Sequence, residues 1–232
     1  MKINDFNKLL EISSEYISEW QILSNDKHFD DAKQKAQEFI NICKENIVEC
    51  NNSHDEITLN YFLVLGVLFR GFQNFNEIDK LTYLADWINE NEQVEKVWVE
   101  LWDCKERLEF CFDHLILEDY LQSFLINNLD RLENHFLEVF GHGLYASPEI
   151  IIKKIKCSIC GNDLRRCEHQ IGLLYYGKIC TTIMEDFFLK NVAIVRVPED
   201  PRCRIWPWNK IEKKKYNIPI LRVFRIDDFI NS

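Results

Sequence analysis

Apolar residues recur every three or four positions over most of the first 140 residues, a spacing that predicts helices. In residues 4–24, Phe6, Leu9, Leu10, Tyr16, Ile17, Trp20 and Leu23 form one stripe with acidic residues between them. A second stripe over 30–50 uses Ala32, Ala36, Phe39, Ile40, Cys43 and Ile47. Residues 51–55 read as a turn, with Asp55 placed to cap the next helix. The run 56–73 is nearly all apolar and predicts a helix covered on every side, the centre of a bundle. Further helices are expected at 77–90, 93–109 and 112–140. The last carries Leu117, Tyr120, Leu121, Phe124, Leu125, Leu132, Phe136 and Phe140 on its apolar face. Gly141 and Gly143 stop it, because glycine takes the left-handed conformation that ends a helix.

From Pro148 onward the pattern changes, and all 5 prolines lie at or after this position. Pro148 reads as the start of a short helix through Ile155, and Ile179 to Leu189 as an amphipathic helix. Asn191 to Val197 is a compact β-branched run followed by a Pro-Glu-Asp-Pro turn, and Ile218 to Ile226 is a second strand candidate. The fold class expected is therefore mainly α: an N-terminal α-helical bundle over 1–145, followed by a small α+β zinc-binding module over 146–232. No internal repeat at a fixed period is visible.

Charge sharpens that division. Residues 1–145 carry 12 Lys and Arg against 28 Asp and Glu, a net of −16, whereas 146–232 carry 16 against 10, a net of +6. The two parts face different partners or each other, unless the acids are simply solvated helix faces. The longest uninterrupted apolar run, Tyr61 to Phe69, is far too short to span a bilayer.

The chain has 9 cysteines. Cys43 and Cys50, like Cys104 and Cys111, are two helical turns apart, about 10 Å at 1.5 Å per residue. That exceeds disulfide reach. Free buried thiols are expected, and with no signal peptide at Met1-Lys-Ile-Asn-Asp-Phe a reducing cytoplasm. The other cysteines include a different arrangement. Cys157, Cys160, Cys167 and His169 place four soft ligands within one short stretch, in the order C-x2-C-x6-C-x-H. Thiolate and imidazole suit a tetrahedral zinc ion, and a closed shell of this kind is structural. A thioredoxin-type Cys-x-x-Cys would open a helix, whereas here Gly-Asn-Asp comes next. Cys180 is an alternative ligand in place of His169 or Cys167, and Cys203 a more remote one.

The run from Gly143 to Ile205 resembles a zinc-binding module that recurs in uncharacterised bacterial and phage-encoded proteins. The residues that carry the resemblance are Tyr145, Ser147-Pro148-Glu149, Cys157-Ser-Ile-Cys160-Gly161, Cys167-x-His169, Gly172, Tyr176-x-Lys178-x-Cys180 and Val195-x-Val-Pro-Glu-Asp-Pro201. It covers about a quarter of the chain. It implies metal binding, says nothing of a reaction, and suggests a mobile-element or phage-defence setting by association.

Other constellations have ordinary explanations. His135, Glu138 and His142 would share a face only if the helix ran through Gly141. His114 with Glu118 and Asp119 reads as a solvated contact along a helix. Paired acids such as Glu185-Asp186 point apart on any regular element. No G-x-S-x-G, P-loop, G-x-G-x-x-G or H-E-x-x-H occurs, and no residue is assigned as catalytic. Basic residues gather in the second part: Lys153, Lys154, Lys156, Arg165, Arg166, Arg202, Arg204, Lys213, Lys214 and Lys215, with Tyr175, Tyr176, Trp206 and Trp208 among them. Of these, Arg165, Arg166, Lys213, Lys214 and Lys215 are candidate nucleic-acid contacts.

The expectation is a non-enzymatic, zinc-binding accessory or adaptor protein with a protein partner. The alternatives are a nucleic-acid-binding protein that uses the basic module and, after it, a metal-dependent hydrolase.

Overall fold

The computed structural model describes residues 3, 5–49, 56–83, 86–206 and 208. Among them the chain is mainly α, with five α-helices followed by an antiparallel sheet region. The helices are α1 (Phe6–Asn25), α2 (Phe29–Glu49), α3 (Glu56–Thr82), α4 (Asn91–Phe112) and α5 (Asp119–Phe140). The strands are β1 (Leu144–Cys157), β2 (Leu174–Tyr175), β3 (Lys178–Ile179), β4 (Thr182–Val195) and β5 (Arg204–Ile205). The expected turn at 51–55 and strand at 218–226 lie outside the described residues, as do Lys213, Lys214 and Lys215.

Two compact units emerge. One runs through Asp130 and takes in Tyr176–Lys178; the other holds Arg131–Tyr175 and continues from Ile179. The division falls inside α5, ahead of the 145/146 boundary expected from composition.

In the first unit α3 is central. Leu59, Phe62, Leu63, Leu68, Phe69 and Phe72 are fully buried, as the all-apolar run requires. Trp20 of α1 stacks on Phe72 with ring centroids 3.8 Å apart, and Phe39 of α2 on Phe69 at 4.4 Å. Gly71 brings α4 close, since a Cβ there would stand 3.1 Å from the Leu108 side chain. The break expected between residues 73 and 77 does not occur. Gln73 donates to the Lys33 carbonyl and the Gln37 side chain, while Asn74 accepts from Arg107 at 2.6 Å. With these polar groups satisfied by neighbouring helices, the apolar spacing continues through Phe75 and Ile78, and the first part of the helix expected at 77–90 merges into α3, which ends at Thr82; Trp87–Asn89 forms a separate 3-10 turn. His114 also departs from expectation. The helix expected over 112–140 begins only at Asp119, which leaves Leu117 outside it and His114 between α4 and α5, with Nδ1 2.8 Å from the Phe110 carbonyl. The end of α5 is as expected: Gly141 has φ +68° and its N–H closes on the Leu137 carbonyl.

The second unit corrects two helices into strands. Residues 148–155 and 179–189, both expected to be helical, belong largely to β1 and β4, which pair antiparallel from Tyr145–Val195 to Cys157–Thr182. Ile150, Ile151, Ile152 and Ile155 are β-branched and favour the pleated surface. Pro148 imitates a helix start but suits a strand whose second edge is open. The sheet order is β4-β1-β5, with β5 meeting β1 only at Leu144 and Tyr145. Beyond that point the sheet is a two-stranded ribbon. At its base Arg204 is buried and donates to the Phe140 and Gly141 carbonyls at 3.0 and 2.7 Å, beneath Trp206.

Candidate metal centre

Residues 158–181 form the connection at the far end of this ribbon, between Cys157 of β1 and Thr182 of β4. Cys157 closes its strand and the chain reverses at once: Gly161 N–H donates to the Cys157 carbonyl, and Cys157 N–H to the Asn162 carbonyl, both at 2.9 Å. Gly161 takes φ +72°, which the turn demands and glycine supplies without strain. Asp163 then opens a single 3-10 turn, Leu164–Arg166, by accepting from Arg165 N–H at 3.0 Å. That turn delivers Cys167 and His169 back to the knuckle.

The donor atoms of Cys157, Cys160, Cys167 and His169 all lie within 4.8 Å of one another, the one group able to hold a metal ion found among the described residues. The donor set itself fits a thiophilic ion. His169 Nδ1 is shielded from solvent and lacks a hydrogen-bond partner. Its ring stands edge-on to Tyr175 at 4.7 Å, and the Tyr175 hydroxyl accepts from Gln170 N–H at 3.1 Å, which steadies that neighbour.

The sulfurs are electrostatically unequal. Burial opposes ionisation of Cys157, but N–H groups of Cys160 and Ile159 and the thiols of Cys180 and Cys160 pull it down to about 6. Burial, reinforced by the nearby Cys157 charge, pushes Cys180 up to about 11. Cys167 is raised by burial and by Cys157 and Cys160. One thiolate is therefore favoured before any ion arrives, and a cation at the centre would draw the rest into ionised form.

Cys180 is outside that group of four but beside it, with its sulfur 3.6 Å from that of Cys157. Cys203 closes a 3-10 turn at Pro201–Cys203 and is not part of the metal-binding group. Cys43, Cys104 and Cys111 are buried free thiols in the helical unit, raised well above the ordinary range by burial. His135 and His142 do not share a helical face, because α5 ends at Phe140. No helix among the described residues is long and apolar enough to cross a membrane.

The basic residues of the second unit are mostly engaged. Arg165 forks onto Asp163 with bonds of 2.9 and 2.7 Å. Lys154 and Lys156 both reach Glu185, and Lys190 reaches Glu149. Arg202 bonds Asp200 at 2.7 Å. Arg166 is exposed. Trp206 is buried, stacked on Trp208 and against Phe140, and Tyr175 rests on His169. Sequence alone did not expose the ribbon, since its two strands are recognisable only as a pair.

No family model, curated protein or solved structure matches this chain.

Proposed function

We propose that this chain is a non-enzymatic accessory or adaptor protein in which a zinc ion holds the ribbon's end and the ribbon makes the contact with a protein partner. Zinc is the ion of choice because three thiolates and an imidazole satisfy its tetrahedral, borderline-soft preference and leave no position for a reacting water. A closed shell of this type supports a structural role over hydrolysis.

The observation that carries the partner reading is the middle of the ribbon. Ile151, Ile152, Phe187, Phe188 and Leu189 are each 40–49% exposed, in strands paired Ile151–Phe188 and Ile152–Phe187. A two-stranded ribbon with apolar residues on both faces is marginal alone in water, and clustered exposed apolar residues mark contact surfaces. Among the charges beside them, Lys154 and Lys156 reach Glu185, Lys190 reaches Glu149 and Lys153 lies over the Phe188 ring, so the ribbon presents little net field. That chemistry suits an apolar protein segment adding along an open strand edge and offers little to phosphates. The test is a photo-crosslinking side chain in place of Ile151, used in cells. A trapped protein, lost when Phe188→Ser is added, is the expected result. Trapped nucleic acid, released by moderate salt in the uncrosslinked state, would replace this reading with the nucleic-acid one.

A further inference from the structure

Two sulfurs bound to one tetrahedral ion at about 2.3 Å are roughly 3.8 Å apart. Cys157 and Cys180 already stand at 3.6 Å, and neither is exposed at all. The strap that carries Cys180 is tied down on both sides. Cys180 N–H donates to the Leu173 carbonyl and its own carbonyl accepts from Gly172 N–H, each at 2.8 Å. Ser158, directly after Cys157, clamps the next residue: Thr181 N–H donates to Ser158 Oγ at 2.8 Å, and Ser158 N–H donates to the Thr181 carbonyl at 3.1 Å. Ser158 Oγ also donates to the Ile179 carbonyl at 3.2 Å. The separation of the two sulfurs is thus set by backbone hydrogen bonds rather than by rotamers alone. Within the same cluster His169 holds a buried, unpartnered Nδ1. A buried polar atom without a partner calls for an explanation, and a cation among the sulfurs supplies one.

We infer that Cys180 is a fifth donor to the same ion and is interchangeable with His169 as its fourth ligand, with Cys157, Cys160 and Cys167 common to both arrangements. This rests on the metal-binding reading of the cluster. The ion is a thiophilic divalent cation such as Zn2+. In the exchange the bond from the metal to the His169 nitrogen breaks and a metal–sulfur bond to Cys180 forms. The Cys180 thiol proton passes to solvent, His169 leaves as neutral imidazole, and the centre gains one negative charge. No oxidation is involved.

The experiment is Zn2+ and Co2+ titration of the full chain, with stoichiometry, affinity and the Co2+ absorption spectrum read together. Wild type, His169→Ala, Cys180→Ala, Cys180→Ser and the double variant His169→Ala/Cys180→Ala are compared, with far-UV signal as the check on folding. Each single variant is expected to keep about one ion per chain, losing no more than a supporting neighbour is worth, about 10- to 100-fold in affinity. The Co2+ sulfur charge-transfer band should match four thiolates in His169→Ala and three in the Cys180 variants. The double variant should bind no stoichiometric metal. Loss of stoichiometric metal in His169→Ala alone would overturn the inference, as would a three-thiolate spectrum in that variant. That spectrum keeps the test sound even if the Cys180 variants fold poorly. Failure of wild type to bind either ion is a separate outcome and removes the metal reading itself.

Discussion

In the helical unit, rings meet rings: Trp20 on Phe72, Phe39 on Phe69 and Phe75 against Phe124, all around an α3 with hardly an exposed apolar face. In the second unit most of the ribbon is open on both faces, and buried side chains gather at its two ends. Phe136, Tyr145, Cys203, Arg204 and Trp206 are buried at one, and Cys157, Ile179 and Cys180 at the other. The first unit draws its stability from apolar area removed from water, which is non-directional and spread over many residues. The second has too little such area around its loops. It relies on directional contacts, namely a strand ladder, a buried arginine and the cluster of candidate metal ligands. Loss of one directional element should therefore be local and complete, whereas loss of one core ring should be partial and shared across the unit.

The strongest test of that contrast is Cys157→Ser. Metal content is expected to fall from about one ion per chain to none, and residues 157–182 to lose amide protection, because structural zinc sites are worth about 10 kcal/mol or more to the fold they close. Helical far-UV signal should stay near the wild-type level, and Cys160→Ser should behave alike. Equal loss of helical signal and of amide protection in 157–182 would erase the distinction between the units.

Phe72→Ala is the reciprocal change. Removing a fully buried aromatic side chain costs about 3–5 kcal/mol, measured as a lower denaturant midpoint of the helical signal, and metal stoichiometry should be unchanged. Loss of metal in this variant would show that the centre depends on the helical core.

Arg204→Ala probes the ribbon's base. It leaves the Phe140 and Gly141 carbonyls without their charged donor, which costs about 1.5–3 kcal/mol. The readout is the melting of the second unit, with Arg204→Lys recovering only part because lysine lacks the planar guanidinium that lies against the Trp206 ring. Gly143 faces the same guanidinium: an added Cβ would come within 2.8 Å of it at φ +75°, so Gly143→Ala should act in the same direction.

The smallest effect belongs to Arg165→Gln. Arg165 side-chain and backbone donors hold the Asp163 carboxyl down at about 2 against an ordinary 3.8. A lowered carboxylate contributes stability above its ordinary value and gives it up as pH falls towards 2. The variant should move the Asp163 titration, followed by carboxyl NMR shifts, back towards 3.8. Melting at neutral pH should barely change, since the pair is on the surface.

The same contrast governs what can be read from residue order. The presence of the five α-helices and the stop at Gly141 were legible because helical periodicity repeats every three to four residues along one segment. The cluster of Cys157, Cys160, Cys167 and His169 was legible for a similar reason, as all its donors lie within one short stretch whose glycine turn folds back on itself. The continuity of α3 through Gln73 was not, because the partners that satisfy Gln73 sit on α2, at Lys33 and Gln37. Nor were β1 and β4. Ile150 meets Leu189 and Ile155 meets Met184 across the ribbon, and a strand is stabilised by a partner distant in sequence rather than by its own neighbours. Tertiary structure alone also paired Lys154 and Lys156 with Glu185, and it showed that Cys180, which the sequence offered as an alternative ligand, stands beside Cys157. Local spacing encodes contacts that a chain makes with itself within a turn or two; contacts closed over longer loops depend on backbone hydrogen bonds that only the folded chain brings together.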